Sequence, residues 1–344
     1  MDYRTLGRSG CAVSALALGT MTFGQETDER GAHEQLDVFV EAGGTLVDTA
    51  DVYNAGTSEQ IIGRWLGARS ADVRDRVVIA TKGRFPMGEE PNALGTSRRH
   101  LRRALDASLT RLGRDHVDLY QLHAWDPQTP IEETLRFLDD AIHAGKIVYG
   151  GLSNFTGWQV QKTVDTAERH HLAVPVTLQP SYSLLVREIE WEIVPACLEN
   201  GLGMLPWGPL GGGWLSGKYK RDERPTGTTR LGDDPARGME GYDRRSGVER
   251  TWDVLGAVQE VAEKRGVSMA QVALAWVRDR PAVSSVILGA RTTEQLRDNL
   301  ASTAVSLDPD ETARLDTASD PNPADYPYGD IGVEQRTRSI AGGR

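Results

Sequence analysis

Short apolar, β-rich runs and segments of helical period alternate eight times along this chain, and that alternation restricts its fold more than any other feature. The runs fall at 15–20 (ALALGT), 45–50 (TLVDTA), 77–82 (VVIATK), 117–124 (VDLYQLHA), 147–154 (IVYGGLSN), 176–183 (VTLQPSYS), 203–210 (GMLPWGPL) and 283–290 (VSSVILGA). Helical periodicity occupies 29–42, 58–68, 97–112, 131–144, 156–170, 189–200, 251–265 with 268–279, and 293–301. Strands separated by helices predict parallel pairing, because the chain must return to the same end of the sheet before the next strand begins. Eight such units predict an α/β fold, the (β/α)8 TIM barrel, and 344 residues suit a single barrel domain spanning 1–344. The alternative is an open doubly wound sheet. That fold usually carries a GxGxxG turn after an early strand, and the chain has none.

Local signals sharpen several boundaries. Ser97 followed by Leu101, Leu105, Leu109 and Leu112, then Gly113, predicts a capped amphipathic helix. Thr129-Pro130 predicts an N-cap and first helical position, with Glu132 and Glu133 in the first turn. Asp308-Pro309-Asp310-Glu311 predicts a further helix after the eighth unit. The N-terminal YRTLGRSGCAVSALALGT reads as a β-hairpin ahead of the barrel, turning near Arg8-Ser9-Gly10. Residues 217–250, charged and rich in Gly and Arg, form a long loop after strand 7, either a lid or a solvated excursion. The tail 320–344, with Pro321, Pro323 and Pro327, is expected to run over the barrel.

Charge and cysteine usage exclude several classes of function. A net charge of −10 argues against a nucleic-acid partner and against acidic membranes. Cys11 and Cys197 form neither a disulfide framework nor a metal-binding spacing. No signal-like start and no apolar stretch of membrane length is present, so a cytoplasmic setting is expected.

Barrel chemistry gathers at the C-terminal ends of the strands. Here those ends carry Asp48 with Tyr53 just beyond it, Lys82, His123, Ser153-Asn154, Gln179, Trp207 and Gly289. Any one of these has a bland reading as a solvated strand end, a cap or a core histidine; together they form a reacting set. A phenol is a weak acid at neutral pH, and an adjacent ammonium favours its phenolate, each pKa unit being worth about 1.4 kcal/mol. Tyr53 can then donate a proton, tuned by Lys82, with Asp48 holding the lysine charged and His123 orienting a carbonyl oxygen. Asp51, between Asp48 and Tyr53, reads as a structural turn acid. No activated serine or cysteine and no metal-ligand cluster is evident, which leaves hydride from a nicotinamide as the economical partner reaction.

These residues and their spacing resemble the catalytic tetrad of the aldo-keto reductases, and the likeness runs from LGRSG…LALGTMTFG to SVILGARTTEQLRDNL. The resemblance implies metal-free, reversible carbonyl reduction with NADP(H), on a small-molecule carbonyl or alcohol substrate. It places Gly19, Thr20 and Met21 along the cofactor cleft, with Asp48 beside it. Ser153, Asn154 and Gln179 are implied to hold the nicotinamide carboxamide, and Trp207 to stack on the ring. Gly208, Pro209, Leu210, Gly211, Gly213 and Lys218 are implied to approach the pyrophosphate. Gly289 and Arg291 belong to the 2′-phosphate end, and Gln295 and Asn299 to the adenine. Gly208 stands where many members have serine, and Gly289-Ala290 where others have Lys-Ser; both lean toward the bacterial, aryl-alcohol dehydrogenase and potassium-channel beta-subunit branches. The near-P-loop GGWLSGKY ends on Tyr219 instead of a magnesium-binding hydroxyl and opens no helix, so it carries no triphosphate reading.

Phe23, Tyr53, Phe85, His123 and Trp125 are expected to line the substrate pocket, with Tyr219, Tyr326 or Tyr328 as further candidates. They suit an apolar aromatic or terpenoid carbonyl, and equally a sugar carbonyl stacked on Trp125. A slowly turning redox sensor is the alternative function. A hydrolase built on Asp48 and Asp51 leaves Lys82, Gln179 and Arg291 without roles. Oligomeric state is left open by the sequence.

Overall fold

The computed structural model describes residues 1–227, 231–232, 240–323 and 325–336. Tyr3–Thr5 (β1) and Ala12–Ser14 (β2) form the N-terminal hairpin, with Arg4 opposite Val13. Leu16–Gly19 (β3), Leu46–Asp48 (β4), Val78–Gly83 (β5), Val117–Leu122 (β6), Ile147–Ser153 (β7), Thr177–Gln179 (β8), Gly203–Met204 (β9) and Val286–Leu288 (β10) follow. They make one parallel sheet in the order β10-β3-β4-β5-β6-β7-β8-β9. Hydrogen bonds join its two ends. The Met204 N–H donates to Ala282 O at 2.6 Å, Ser284 N–H to Met204 O at 2.9 Å, and Ile287 N–H to Pro206 O at 2.9 Å. The sheet is a curled (β/α)8 barrel, and each strand lies within one residue of the run that predicted it.

Alternation along each strand decides what the barrel interior contains. Leu46, Ala80, Leu119, Val176, Leu205 and Ile287 point inward and pack with Leu6 and Val13 of the hairpin. Val47, Ile79 and Tyr120, the strand neighbours of Leu46, Ala80 and Leu119, face the helices and join the outer core, as does Leu178. The hairpin turn plugs the N-terminal end so closely that a Cβ on Gly7 (φ +57°) would overlap the Val176 carbonyl oxygen and stand 2.6 Å from Gly203 N. Gly19 has a similar reason to be glycine: a Cβ there would lie 2.6 Å from Ile287 Cγ2, across the β3–β10 contact.

The helices occupy the predicted segments, and their caps are the ones the sequence advertises. Ser97 accepts from His100 N–H, and Gly113 ends that helix in the left-handed region. Asp308 and Glu311 form a capping box with Pro309 in the first turn. One boundary shifts: Pro130, not Thr129, is the cap of Ile131–His143, because the Thr129 hydroxyl donates instead to Asp126 Oδ2 at 2.7 Å. Ala71–Arg76 and Asp330–Arg336 are additional short helices.

In the described parts of 217–250, Tyr219, Leu231 and Tyr242 are buried, while 220–224 are exposed. Trp214 stacks on Tyr242 at 5.4 Å and meets Tyr219 and Trp252 edge-on at 5.0 and 5.6 Å. Tyr219 is therefore a core residue and no pocket wall. The lid reading also concerns 228–230 and 233–239, which lie outside the described residues, as does the end of the tail, 337–344. Tyr328 stacks on Trp191 at 5.0 Å and donates to Glu192 at 2.7 Å, on the helical flank of the barrel, while Tyr326 is exposed; neither lies with the site residues.

A second polar cluster fastens the helix Thr57–Gly67. Glu59, wholly buried, accepts from Thr81 Oγ1 at 2.5 Å and from Arg111 Nε at 2.6 Å. Asp51 is buried beside it, and no side chain hydrogen-bonds its carboxylate. Burial, and then the Glu59 charge, push Asp51 up to about 7. The folded chain thus holds this proton more tightly than the unfolded chain, so stability falls as pH rises from about 4 to about 7. Asp51→Asn removes the group that must ionise. Thermal melting should show a gain of a few degrees at about pH 8 and little gain at about pH 4; equal gains at both would contradict the assignment.

Candidate active site

The strand alternation that fills the barrel with apolar groups also builds a polar layer above them. Asp48 lies two residues beyond Leu46, Lys82 two beyond Ala80, and Gln121 two beyond Leu119, so all three point into the C-terminal mouth. Gln179 arrives the same way on β8, paired with Ser153 of β7. Gly151 faces Gln121 and Thr177 in register and leaves them room, since a Cβ would lie 3.0 Å from Gln121 Cγ and 2.4 Å from Thr177 Oγ1.

Lys82 is the centre of this layer. Its Nζ donates to Asp48 Oδ2 at 2.6 Å, to the Thr49 carbonyl at 2.8 Å and to the Tyr53 hydroxyl at 3.2 Å. The other Asp48 oxygen accepts from Gln179 Nε2 at 2.8 Å and Gln121 Nε2 at 3.2 Å. Both charged side chains are shut from water, at 0% and 2% exposure. Desolvation works against the Lys82 ammonium, but the Asp48 charge, Tyr53 and the hydrogen bonds outweigh it, and its pKa is raised.

Tyr53 reaches this ammonium because the chain after β4 turns tightly. Asn54, Ala55 and Gly56 all have positive φ (49°, 51° and 91°), and Asn54 Nδ2 ties the turn to the Phe23 carbonyl at 2.6 Å. Ala55 is an uncommon occupant of that region, which marks local backbone strain beside the phenol. Burial pushes the Tyr53 phenol above its ordinary value, Lys82 pulls it back and Asp48 pushes it up. The sequence reading, in which the ammonium dominates, needs correction: desolvation wins.

His123 sets its ring 5.9 Å from Tyr53 and 4.6 Å from Phe85, edge-on to both. Its Nδ1 is buried without a hydrogen-bond partner. Desolvation, then Lys82 and Arg84, push it down to about 2, so the imidazole is neutral. Asn154, at φ 56°, donates to the His123 carbonyl at 2.9 Å and accepts from Trp207 Nε1 at 3.1 Å, and the Ser153 hydroxyl donates to Gln179 O at 3.0 Å. Asp48, Tyr53, Lys82, His123, Ser153, Asn154, Gln179 and Trp207 therefore meet at one mouth. Phe85 and Trp125 border it, Trp125 packing edge-on to Phe155 and to the exposed Trp158, both at 5.4 Å.

Other expected residues are held by contacts within the fold. Phe23 is fully buried in the core and offers no surface to a substrate. Thr20 is buried, its hydroxyl donating to Asp48 O at 3.0 Å, whereas Met21 is exposed. The N–H groups of Gly211 and Gly213 close a turn on the Gly208 and Leu210 carbonyls at 2.9 Å each, beneath Lys218. Pro209 is buried beside Gly208, which has positive φ. Beyond β10, Gln295 Oε1 accepts from Arg291 N–H at 2.9 Å, and buried Asn299 donates to Gly289 O at 3.4 Å. Sequence reasoning passed over Gln121 and Arg84. The first was available from its place on β6, two residues before His123. Arg84, with φ 148° and its guanidinium 5.1 Å from the Phe85 ring, left no pattern to read.

Comparison with known proteins identifies the family. The aldo/keto reductase family model matches residues 15–320. The chain is 39% identical over 316 residues to the uncharacterised oxidoreductase YrpG of Bacillus subtilis, covering 90% of this chain and 93% of the relative. It is 38% identical over 308 residues to a probable voltage-gated potassium channel subunit beta of Oryza sativa, covering 87% and 90%. Versiconal hemiacetal acetate reductase of Aspergillus parasiticus is 33% identical over 344 residues, covering 92% and 96%. With its eight parallel strands and this match over most of its length, the chain belongs to the aldo/keto reductase family.

Proposed function

We propose that this oxidoreductase reduces an aldehyde or ketone to the alcohol, reversibly, with NADP(H) as its nucleotide and Tyr53 as the proton donor. The observation that carries the reading is the Lys82 ammonium in simultaneous contact with Asp48 and the Tyr53 hydroxyl, out of water. When bound, the nicotinamide supplies a hydride to the carbonyl carbon. As the C=O π electrons move to oxygen, the Tyr53 O–H gives that oxygen its proton. The phenolate left behind is stabilised by Lys82 and is reprotonated from solvent. A raised phenol pKa keeps Tyr53 protonated at neutral pH, as a donor must be, while Lys82 limits the cost of losing the proton. His123, neutral, orients the carbonyl oxygen and supplies no net proton.

The nucleotide fits the chain's own groups around the mouth. Ser153, Asn154 and Gln179 offer amide and hydroxyl atoms for the carboxamide, Trp207 a ring face, and the Gly208–Gly213 turn with Lys218 a place for the pyrophosphate. Arg291 is the cation for a 2′-phosphate. Phe85, Trp125 and Trp158 make the approach aromatic, which favours a flat apolar carbonyl over a sugar. The likeness to channel beta subunits keeps one second reading, a nucleotide-bound sensor that turns over slowly.

Tyr53→Phe should lower kcat for an aryl aldehyde by about 10²–10⁴-fold while nucleotide affinity, read by tryptophan quenching, stays within a few-fold of wild type; full turnover by the mutant removes Tyr53 from its role. Reduction by the wild type should stay level through neutral pH and decline only above about 10, the ordinary tyrosine range. A loss of rate near pH 6.5 that His123→Gln abolishes would instead make the imidazolium the acid. Tight nucleotide binding without turnover on aryl, dicarbonyl, steroid and sugar substrates would favour the sensor.

A further inference from the structure

Arg291, the cation the nucleotide reading assigns to the 2′-phosphate, is engaged by a carboxylate of the chain itself. Its Nε lies 2.9 Å from Glu26 Oε2, and the two side chains are only 24% and 17% exposed. The turn carrying Glu26 is closely built. The N–H groups of Gln25, Glu26 and Thr27 all donate to Thr22 O, at 3.2, 3.0 and 3.0 Å, and Gly24 (φ +82°) donates to Thr27 O at 2.8 Å. Hydroxyls stitch this turn to the loop after β10: Thr22 Oγ1 donates to Ala290 O at 3.1 Å and Thr27 Oγ1 to Arg291 O at 3.2 Å. The pair borders a cavity of about 430 Å³ that Asp28, Glu34 and Glu294 also line. Gln35 lines it too, 1% exposed, with neither amide atom hydrogen-bonded. A buried amide in that state is suited to a polar ligand group.

We propose that Glu26 is a specificity-determining residue that opposes the 2′-phosphate, so that this chain takes NADH nearly as well as NADPH. The inference rests on the nicotinamide dinucleotide reading given above. A phosphate dianion that takes Arg291 must displace or share the Glu26 carboxylate, and two like charges in a partly buried site repel. The 2′-hydroxyl of NADH has the opposite character: it is a donor, and a carboxylate at the adenosine ribose accepts from it. Glu26 thus weakens one nucleotide and has a hydrogen bond to offer the other.

The test is equilibrium binding of NADPH and NADH to the full chain, followed by tryptophan fluorescence. In the wild type the two dissociation constants should agree within about tenfold. Glu26→Gln and Glu26→Ala should each raise the preference for NADPH by about tenfold or more, mainly by tightening NADPH. Arg291→Gln should move the ratio the other way. A ratio unchanged in both Glu26 variants, or a wild-type preference for NADPH beyond about tenfold, overturns the proposal while leaving the nucleotide reading intact. Failure of the wild type to bind either nucleotide overturns both.

Discussion

The 2.6 Å contact between Lys82 Nζ and Asp48 Oδ2, closed off from water at the barrel mouth, is the constraint to which much of the molecule answers. Two charges in a dry interior are tolerable only when each is fully hydrogen-bonded, and removing one partner of such a pair typically costs about 3–5 kcal/mol. The barrel meets that demand from four strands: β4 brings Asp48, β5 Lys82, β6 Gln121 and β8 Gln179. Apolar residues fill the layer beneath, so the polar layer has one open side, and the Tyr53 phenol stands there. A pair that contributes little net stability has a chemical use, because it fixes a cation against a phenol.

Burial shapes the neighbours of that pair as strongly as charge does. Desolvation raises Tyr53 despite the ammonium, holds His123 neutral with help from Lys82 and Arg84, and lifts Asp51 next door. The outcome is a protonated phenol, a neutral imidazole and a charged lysine side by side. The proposed reduction of an aldehyde or ketone calls for those three states at the same pH.

The barrel was readable because alternation and helical period repeat eight times, and each repetition supports the others. The tetrad was readable for a related reason: strand ends in a barrel converge, so Asp48, Lys82 and His123 could be set together without coordinates. What escaped depends on packing rather than period. Phe23 reads as an aromatic near the site, yet the turn held by Asn54 leaves it fully buried. Tyr219 is drawn beneath Trp214 by a loop whose charged composition suggested solvent. The packing reason for Gly19, a Cβ that would lie 2.6 Å from Ile287 Cγ2 and 3.0 Å from Leu288 O, depends on a strand far away in sequence. Glu26 gave no signal, because its meaning depends on a hydroxyl-stitched turn opposite Arg291, far away in sequence.

Hydride transfer to a carbonyl carbon is the central step of the proposed function, and following the label tests it most directly. The chain would be given NADPH deuterated on one face of C4 together with an unlabelled aryl aldehyde, and the alcohol examined by mass spectrometry and NMR. One deuterium on the carbinol carbon, from one nicotinamide face only, is the predicted result. An alcohol without deuterium, or label lost to water, would contradict direct transfer in this barrel.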